Sequence, residues 1–344
     1  MDLNFSIYTT SLTLESLDLP PSNVFPAFIF VTLTYCFILV FNMTVLLTIA
    51  LNRKLHKPMY VLLFNLPLND MVGATAFFPQ LVSSLLSQSR SITYSACFVQ
   101  ALLIHLYGAG SLLILTAMAY DRYIAICCPL KYNSLMSSSN LLKIIIIIWI
   151  LDFSLIGLLL ALNYRKEICS TKIVEIFCNN PSLMKLVCGD TKLNNYYGLF
   201  VIAFFDGLSL LIVVFTYVQI LITVVVKRQS DAKSKAIQTC GTHLIVFLCF
   251  QFTSVFAFIA HRIETTSPSL RSEMFFVFTF SSKDQLTENN LRTSVFTSVF
   301  VFVFFCSPFN YVHFIQLNIV YNIRMEQDQS DSSILNYLIF NQKK

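Results

Sequence analysis

The sequence predicts an all-α membrane protein built as a seven-transmembrane helix bundle. Of its 344 residues, 56% are hydrophobic and only 12% are charged, which is half of the roughly 25% charged residues in a soluble domain. A membrane-spanning helix needs about 20 mostly apolar residues, and seven stretches reach that length. They cover residues 25–51, 59–86, 98–121, 141–162, 196–226, 237–260 and 294–321.

The seven stretches differ in regularity. The first six are well separated, and the second contains Pro67 and Pro79, which a membrane helix tolerates as kinks. The seventh is apolar from Val295 to Phe305 and then acquires polar residues, so we expect an atypical seventh helix. The net charge of +5 does not indicate a nucleic-acid partner. The composition predicts the lipid bilayer as the surrounding medium instead.

The basic residues of the short loops predict the orientation of the chain. Basic residues follow the first, third and fifth spans, at Arg53, Lys54, Lys57, Lys131, Lys143, Lys227, Arg228, Lys233 and Lys235. The face with the excess of basic residues is cytosolic. Residues 1–24 are therefore expected outside the cell, and seven spans place residues 324–344 in the cytosol. Five basic residues in the loop after the fourth span are the competing signal.

The expected extracellular side carries a glycosylation signal and four cysteines. Asn4 begins an Asn-Phe-Ser sequon. Cys97, Cys169, Cys178 and Cys188 lie on the side where disulfides persist. Four cysteines allow three pairings. Because Cys97 begins the third span and the other three share one loop, one bridge must tie that loop to the helix.

A charged triplet, Asp121 to Tyr123, interrupts the third apolar stretch where it should leave the lipid. A charged pair at this depth is costly unless its members pair with each other or face water or protein. Taken alone, the triplet is better explained as a pair, Asp121 and Arg122, that caps the helix and anchors it at the interface.

The sequence shows no arrangement of residues for catalysis. It has no nucleophile paired with a base, no glycine-rich phosphate loop and no metal-ligand spacing, and its five histidines are scattered. We therefore expect no enzyme activity and no cofactor.

Four motifs, in order, resemble those of the odorant receptors, a branch of the rhodopsin-like G protein-coupled receptors. The segments are LHKPMY at 55–60, MAYDRY at 118–123 with its continuation to 130, KA, TC and THL within 235–244, and FC with CGDT within 177–191. The resemblance covers residues 25–262 and implies a receptor domain over residues 25–323.

The resemblance implies a set of covalent and polar pairings. Cys97 would bridge to Cys178, and Cys169 to Cys188. The residues expected at the polar centre of the bundle are Asn42, Asp70, Ser111 and Asn318. Many odorant receptors carry Glu at the position of Ser111, and a hydroxyl there fits a sodium site with Asp70. The alternative is a hydrogen-bonded Asp70 without an ion.

The resemblance also gives Arg122 a role. When the receptor is inactive, Arg122 would pair with Asp121; when active, it would swing towards Tyr217 and accept the C-terminal helix of a G protein. The expected coupling site consists of Asp121, Arg122, Tyr123, Tyr217, Lys235 and His243.

A ligand pocket is expected between the third, fifth and sixth spans, in their outer half. Mostly apolar walls with a few polar anchors are typical of sites for small organic ligands. The predicted lining residues are Ile104, His105, Gly108, Ala109, Leu112, Val201, Phe205, Gln251, Ser254, Val255 and Phe258. His105 and Gln251 are the expected anchors, unless they only bond neighbouring helices. Asp206 is either a ligand counter-ion or a helix-packing partner.

The resemblance weakens after Arg262. The family usually ends its seventh span with Pro-x-Leu-Asn-Pro-x-Ile-Tyr, but here the second proline is missing and Asn318 and Tyr321 lie one residue closer together. One residue turns a helix face by about 100°. Three explanations fit this pattern. The chain is a divergent receptor, or it reflects a faulty gene model or a non-signalling remnant, or residues 262–344 pack in an unfamiliar way.

The sequence as a whole favours a plasma-membrane odorant receptor. It would bind a small odorant and activate a heterotrimeric G protein of the stimulatory, olfactory type, raising cyclic AMP. A peptide or amine receptor of the rhodopsin-like class would more naturally carry an acid on the pocket side of span three. A transporter would show internal repeats, and none is visible. The sequence identifies neither the odorant nor the oligomeric state.

Overall fold

A computed structural model describes residues 11–14, 21–87, 91–164, 166–173, 176–226, 240–241 and 243–255. Five long helices are each apolar and long enough to cross a membrane. They are α1 (Pro21–Leu51), α2 (Pro58–Ser87), α3 (Tyr94–Cys127), α4 (Ser138–Ala161) and α5 (Lys192–Val226). A shorter apolar helix, α6 (His243–Val255), lies within the sixth predicted span. Residues 294–321, the predicted seventh span, lie outside the described residues.

The helix bounds follow the apolar stretches, with one main difference at the charged triplet. As expected, α2 continues through Pro67 and Pro79. The helix α3 does not end at the charged triplet but continues to Cys127. At its start, the Thr93 hydroxyl accepts a hydrogen bond from the Ala96 N–H, which satisfies one free donor of the first turn. The triplet therefore lies inside a helix and has a fixed orientation.

The helix α3 is the centre of the bundle because it packs against α2, α4 and α5, whereas α1 packs on α2. Its buried residues extend from Tyr94 to Ile124; the apolar ones from Leu106 to Ala119 belong to the main core, and Tyr94, Cys97 and Ala101 to a second cluster. Large apolar side chains elsewhere are exposed, among them Phe30, Ile147 and Leu211. A helix that is apolar on its outward face as well as its inward face is typical of a lipid-facing helix.

A small three-stranded sheet lies across one end of the bundle. It consists of β1 (Ser11–Leu14), β2 (Ser91–Thr93) and β3 (Lys172–Ile173), with β1 in the middle. The strand β1 runs antiparallel to β2 and parallel to β3. Its alternating Ser-Leu-Thr-Leu sequence buries Leu12 and Leu14. The sequence analysis treated this region only as a polar extracellular segment.

Two disulfides lie at the same end, which we call the disulfide end. Cys97 of α3 is bonded to Cys178, with Cα atoms 5.3 Å apart. Cys169 is bonded to Cys188, also at a Cα separation of 5.3 Å. These are the two pairings that the family resemblance implies. The first bridge fixes the loop between α4 and α5 to the start of the central helix.

Candidate functional site

The charged triplet lies at the opposite end, which we call the arginine end. Arg122 pairs with Asp121 at 3.7 Å, and the arginine side chain is 23% exposed while the aspartate side chain is almost fully buried. The Tyr132 hydroxyl donates a hydrogen bond to Asp121 Oδ1 at 2.9 Å. Asp121 is therefore held by both a cation and a neutral donor, and only Arg122 reaches the surface.

Tyr132 belongs to the short helix Tyr132–Leu135 in the loop between α3 and α4. Burial, and then the neighbouring Asp121 carboxylate, raises the pKa of Tyr132 to about 12. Because this pKa is far above physiological pH, the phenol remains protonated and acts as a donor. The loop is thereby tied to the carboxylate that pairs with Arg122.

A second polar contact at the arginine end joins three helices. The Tyr217 hydroxyl of α5 lies 2.8 Å from His243 Nδ1 and 2.9 Å from the Cys240 carbonyl oxygen. His243 Nε2 lies 3.1 Å from the Leu115 carbonyl oxygen of α3. A carbonyl only accepts, so His243 Nε2 donates to Leu115 and the Tyr217 hydroxyl donates to Cys240. The imidazole thus bridges α3 and α5 while belonging to α6.

The other expected coupling residues are placed less completely. The Tyr123 ring packs against Phe215 of α5, with ring centroids 5.9 Å apart. Lys235 lies outside the described residues. The structure brings Asp121, Arg122, Tyr217 and His243 to the same end, but in this state Tyr217 bonds with α6 rather than with Arg122.

Three of the four expected polar-centre residues, Asn42, Asp70 and Ser111, lie among the described residues. Ser111 Oγ accepts a hydrogen bond from Asn69 Nδ2 at 3.0 Å, and the same amide donates to the Tyr107 carbonyl. Asn69 thus joins α2 to α3 beside Ser111. Asp70 is buried, and neither of its carboxylate oxygens has a hydrogen-bond partner among the residues that the structure describes.

The two remaining residues expected at the polar centre are Asn42 and Asn318. Asn42 is buried and donates to the Ile38 carbonyl of its own helix, so it does not link helices through that bond. Asn318 lies outside the described residues. A sodium ion at Asp70 and Ser111 remains a prediction, since the carboxylate is available but the hydroxyl is shared with Asn69.

Asp152 of α4 is a buried acid that the sequence analysis missed. It is fully buried, and neither of its oxygens has a hydrogen bond within the described part of the chain. A Cβ built on Gly110 of α3 would lie 3.1 Å from Asp152 Oδ2 and 3.2 Å from Asn69 Nδ2. The available signal was the single acid within the mostly apolar residues 141–162.

The predicted pocket residues other than Gln251 and Ser254 fall into three groups. Four are buried together in the main core: Ala109, Leu112, Val201 and Phe205. Three of the α3 stripe are half-buried: Ile104, His105 and Gly108. A Cβ built on Gly108 would meet nothing within 4 Å, so α3 has open space beside this residue. Val255 is 39% exposed and apart from the buried group, and Phe258 lies outside the described residues.

The two expected anchors behave differently. His105 Nδ1 donates to the Ala101 carbonyl one turn earlier, at 2.7 Å, so Nε2 of the neutral ring remains as an acceptor. Gln251 Nε2 donates across to Asp206 Oδ1 of α5 at 3.0 Å. Ser254 Oγ donates to Asp206 Oδ2 at 3.2 Å. Asp206 therefore joins α5 to α6, as the helix-packing interpretation predicted.

Chains of amides at the disulfide end were also missed. Gln100 Oε1 accepts from the Cys178 N–H at 2.8 Å, while its Nε2 donates to the Ala76 carbonyl. A buried chain of hydrogen bonds links the end of α4, the loop and α5 through Asn163, Asn180 and Asn194. Such contacts join residues far apart in sequence, so no local pattern indicates them.

A cavity of about 570 Å³ lies at the arginine end, between the starts of α2 and α4 and the loop that precedes α4. His56, Tyr132 and Leu141 are among its lining residues. Across the described ranges, no group of three or more His, Cys, Asp or Glu side chains could hold a metal ion.

Comparisons with known proteins agree with the motifs. The sequence profile described as olfactory receptor matches residues 31–283. Olfactory receptor 52J3 of Homo sapiens is 36% identical over 235 residues, 68% of this chain and 75% of its own. Olfactory receptor 1 of Rattus norvegicus is 30% identical over 77% of this chain and 86% of its own. Olfactory receptor 7G2 of Homo sapiens is 34% identical over 69% and 74%.

Proposed function

We propose a signalling mechanism for this chain, which belongs to the olfactory receptor family. It is thus a multi-pass plasma-membrane odorant receptor rather than an enzyme or a transporter. A small organic odorant binds between α3, α5 and α6, and the arginine end then activates a heterotrimeric G protein of the stimulatory, olfactory type. Cyclic AMP rises as a result.

The observation that carries the proposal is the network at the arginine end. Arg122 is paired with Asp121 while Tyr217 is bonded to His243 of α6. This arrangement corresponds to an inactive state, since α6 is held against α3 and α5. Movement of α6 would free Tyr217 for Arg122 and open a cleft for the C-terminal helix of the G protein. Tyr123, Lys235 and His243 would line that cleft.

The ligand half of the proposal rests on the group around Asp206. Gln251 and Ser254 of α6 hold α5 through this carboxylate, and Gly108 leaves space on the α3 side. A ligand that changes the α5–α6 contact interacts differently with the inactive and the active packing of the helices. Such a difference is what shifts the populations of the two states. The apolar residues Leu112 and Phe205 suit an odorant with an apolar body.

The topology follows from charge and covalent chemistry. The disulfide end faces the outside, with Asn4 glycosylated and residues 1–24 extracellular, and residues 324–344 form the cytosolic tail. The basic residues that follow α1, α3 and α5 support this orientation. The disulfides Cys97–Cys178 and Cys169–Cys188 suit an oxidising compartment.

The test is an odorant panel applied to cells that express the receptor with an olfactory-type G protein, with cyclic AMP as the readout. Wild type should respond to at least one odorant, and Arg122→Ala should abolish the response at equal surface level. The matched control is Arg53→Ala, which removes a basic residue of the loop after α1. An equal response from Arg122→Ala would contradict the proposed coupling role.

A further inference from the structure

The Asp206 carboxylate is chemically unusual for its position. It lies in the middle of α5, is only 8% exposed, and accepts hydrogen bonds from two neutral donors, Gln251 and Ser254. Among the residues that the structure describes, no Lys or Arg lies within ion-pair distance of it; the recorded pairs are Arg122–Asp121 and Lys192–Asp190. A buried carboxylate without a counter-charge is costly, and a cation beside it would offset that cost.

The surroundings of Asp206 define what such a cation would carry. Phe205 and Val201 are buried apolar residues of the same helix, at 3% and 2% exposure. Ser254 is only half-buried. On α3, a Cβ built on Gly108 of the predicted pocket would meet nothing within 4 Å. A hydrated metal ion fits poorly with such walls, whereas an ammonium group on a hydrocarbon skeleton matches both the charge and the apolar surface.

We propose that Asp206 is the recognition group for a ligand that carries a protonated amine on an apolar skeleton. This inference rests on the proposed function and specifies its ligand class. The ammonium would bind Asp206 in place of the hydroxyl of Ser254 or the amide of Gln251, weakening the link between α5 and α6. The proposed acid lies on α5, whereas the corresponding stripe of α3 carries Ile104 and His105.

The position of Asp206 also connects the ligand to the arginine end. Tyr217 follows Asp206 by three turns, about 16 Å along α5, and Gln251 follows His243 by about 12 Å along α6. The same two helices are thus joined twice, once by Asp206 and once by Tyr217. Because both bonds hold the same helix pair, loss of the first favours loss of the second.

The direct test is thermal unfolding of the detergent-purified, full-length receptor with a set of aliphatic, cyclic and aromatic amines, each paired with the alcohol of the same skeleton. At least one amine should raise the Tm of wild type, and its alcohol should not. Asp206→Asn keeps an acceptor for Gln251 and removes the charge. It should require roughly 30-fold or more amine for the same shift.

Two further variants make the outcome decisive. Asp190→Asn, a matched change at an exposed carboxylate of the disulfide end, should retain the wild-type response. Asp206→Glu keeps the charge and should retain the preference for amines, even where the Asn variant is too unstable to purify. Equal shifts by amines and alcohols in wild type, equal amine shifts in Asp206→Asn, or no shift by any amine would overturn the proposal.

A parallel cyclic AMP assay separates this inference from the proposed function. Amine-specific stabilisation without any cyclic AMP response would uphold amine recognition and contradict the proposed signalling. A cyclic AMP response to neutral odorants, with no amine stabilising the receptor, would uphold signalling and contradict amine recognition.

Discussion

Gly108 and Gly110 lie two residues apart on α3, yet their surroundings are opposite. A Cβ on Gly108 meets nothing, whereas a Cβ on Gly110 lies 3.1 Å from the buried carboxylate of Asp152 and 3.2 Å from Asn69. Close approach of α2, α3 and α4 at this level therefore depends on the absence of a side chain at residue 110.

This contrast predicts that Gly110→Ala destabilises the receptor. The added methyl group must displace Asn69 or Asp152 from a well-packed interface, which costs about 1–3 kcal/mol. We expect a lower Tm of the purified protein and a reduced surface level. Gly108→Ala is the matched control and should unfold at or above the wild-type Tm, because alanine favours a helix. A Tm for Gly110→Ala equal to that of Gly108→Ala would refute this account.

His243 is the other residue whose contacts make a specific prediction. Its ring lies parallel to that of Tyr217, with centroids 6.1 Å apart, and both ring nitrogens bond other helices. Phenylalanine would keep the stacking and lose both hydrogen bonds. In the wild type, each of these two hydrogen bonds stabilises the closed packing of the helices by about 1 kcal/mol. We therefore expect His243→Phe to raise ligand-independent cyclic AMP several-fold.

The control for His243→Phe is His105→Phe. The imidazole of His105 bonds only the Ala101 carbonyl of its own helix among its recorded contacts, so its loss should leave basal cyclic AMP unchanged. If both variants raise basal signalling equally at matched surface levels, the bridge between helices at His243 is not what restrains the receptor.

At the scale of elements, the sequence predicted the first five spanning helices and missed the sheet for a physical reason. Membrane helices are specified locally, by about 20 apolar residues. The strands are four, three and two residues long, too short for a readable alternation. Their pairing joins Leu12 to Ile92 and Leu14 to Ile173, contacts that depend on the packed bundle.

The candidate site shows the same division. The charged triplet and the cysteine motifs lie in continuous segments and could be identified by resemblance. The bonds from Asp206 to Gln251 and from Asn69 to Ser111 join separate helices. They depend on helix rotation, which an amino-acid sequence with apolar residues on every face does not specify.

The strand β1 should stabilise the disulfide end of the receptor. Leu12 is fully buried against the cluster that includes Ile92 and Leu183, while Ser11 is exposed. Leu12→Asp places an unpaired charge in this cluster, which costs at least about 2 kcal/mol. We expect a lower Tm and less receptor at the cell surface.

Ser11→Asp introduces the same charge one residue away, on the exposed face of β1. It should leave both the Tm and the surface level close to wild type. Equal losses in the two variants would show that charge near the N-terminus matters, rather than burial of Leu12.

At the scale of the whole molecule, the direction of each helix is linked to that of its neighbours. The sheet brings together the segment before α1, the start of α3 and the loop after α4. These three segments must therefore lie on one side of the membrane. The ends of α1, α3 and α5 then lie on the other side, and we propose that this side is cytosolic because basic residues follow these helices in the sequence.

This arrangement leads to a prediction about both termini. With seven spans, an epitope tag at the N-terminus should be stained on intact cells, and a tag at the C-terminus only after permeabilisation. Extracellular exposure of the C-terminal tag would contradict a crossing by residues 294–321 and leave a six-span chain. If the C-terminal tag is stained on intact cells and the N-terminal tag only after permeabilisation, the orientation is the reverse of the proposed one. An Asn4→Gln variant supplies an independent control, because loss of a glycan from the mature protein requires that residue 4 had reached the lumen of the secretory pathway.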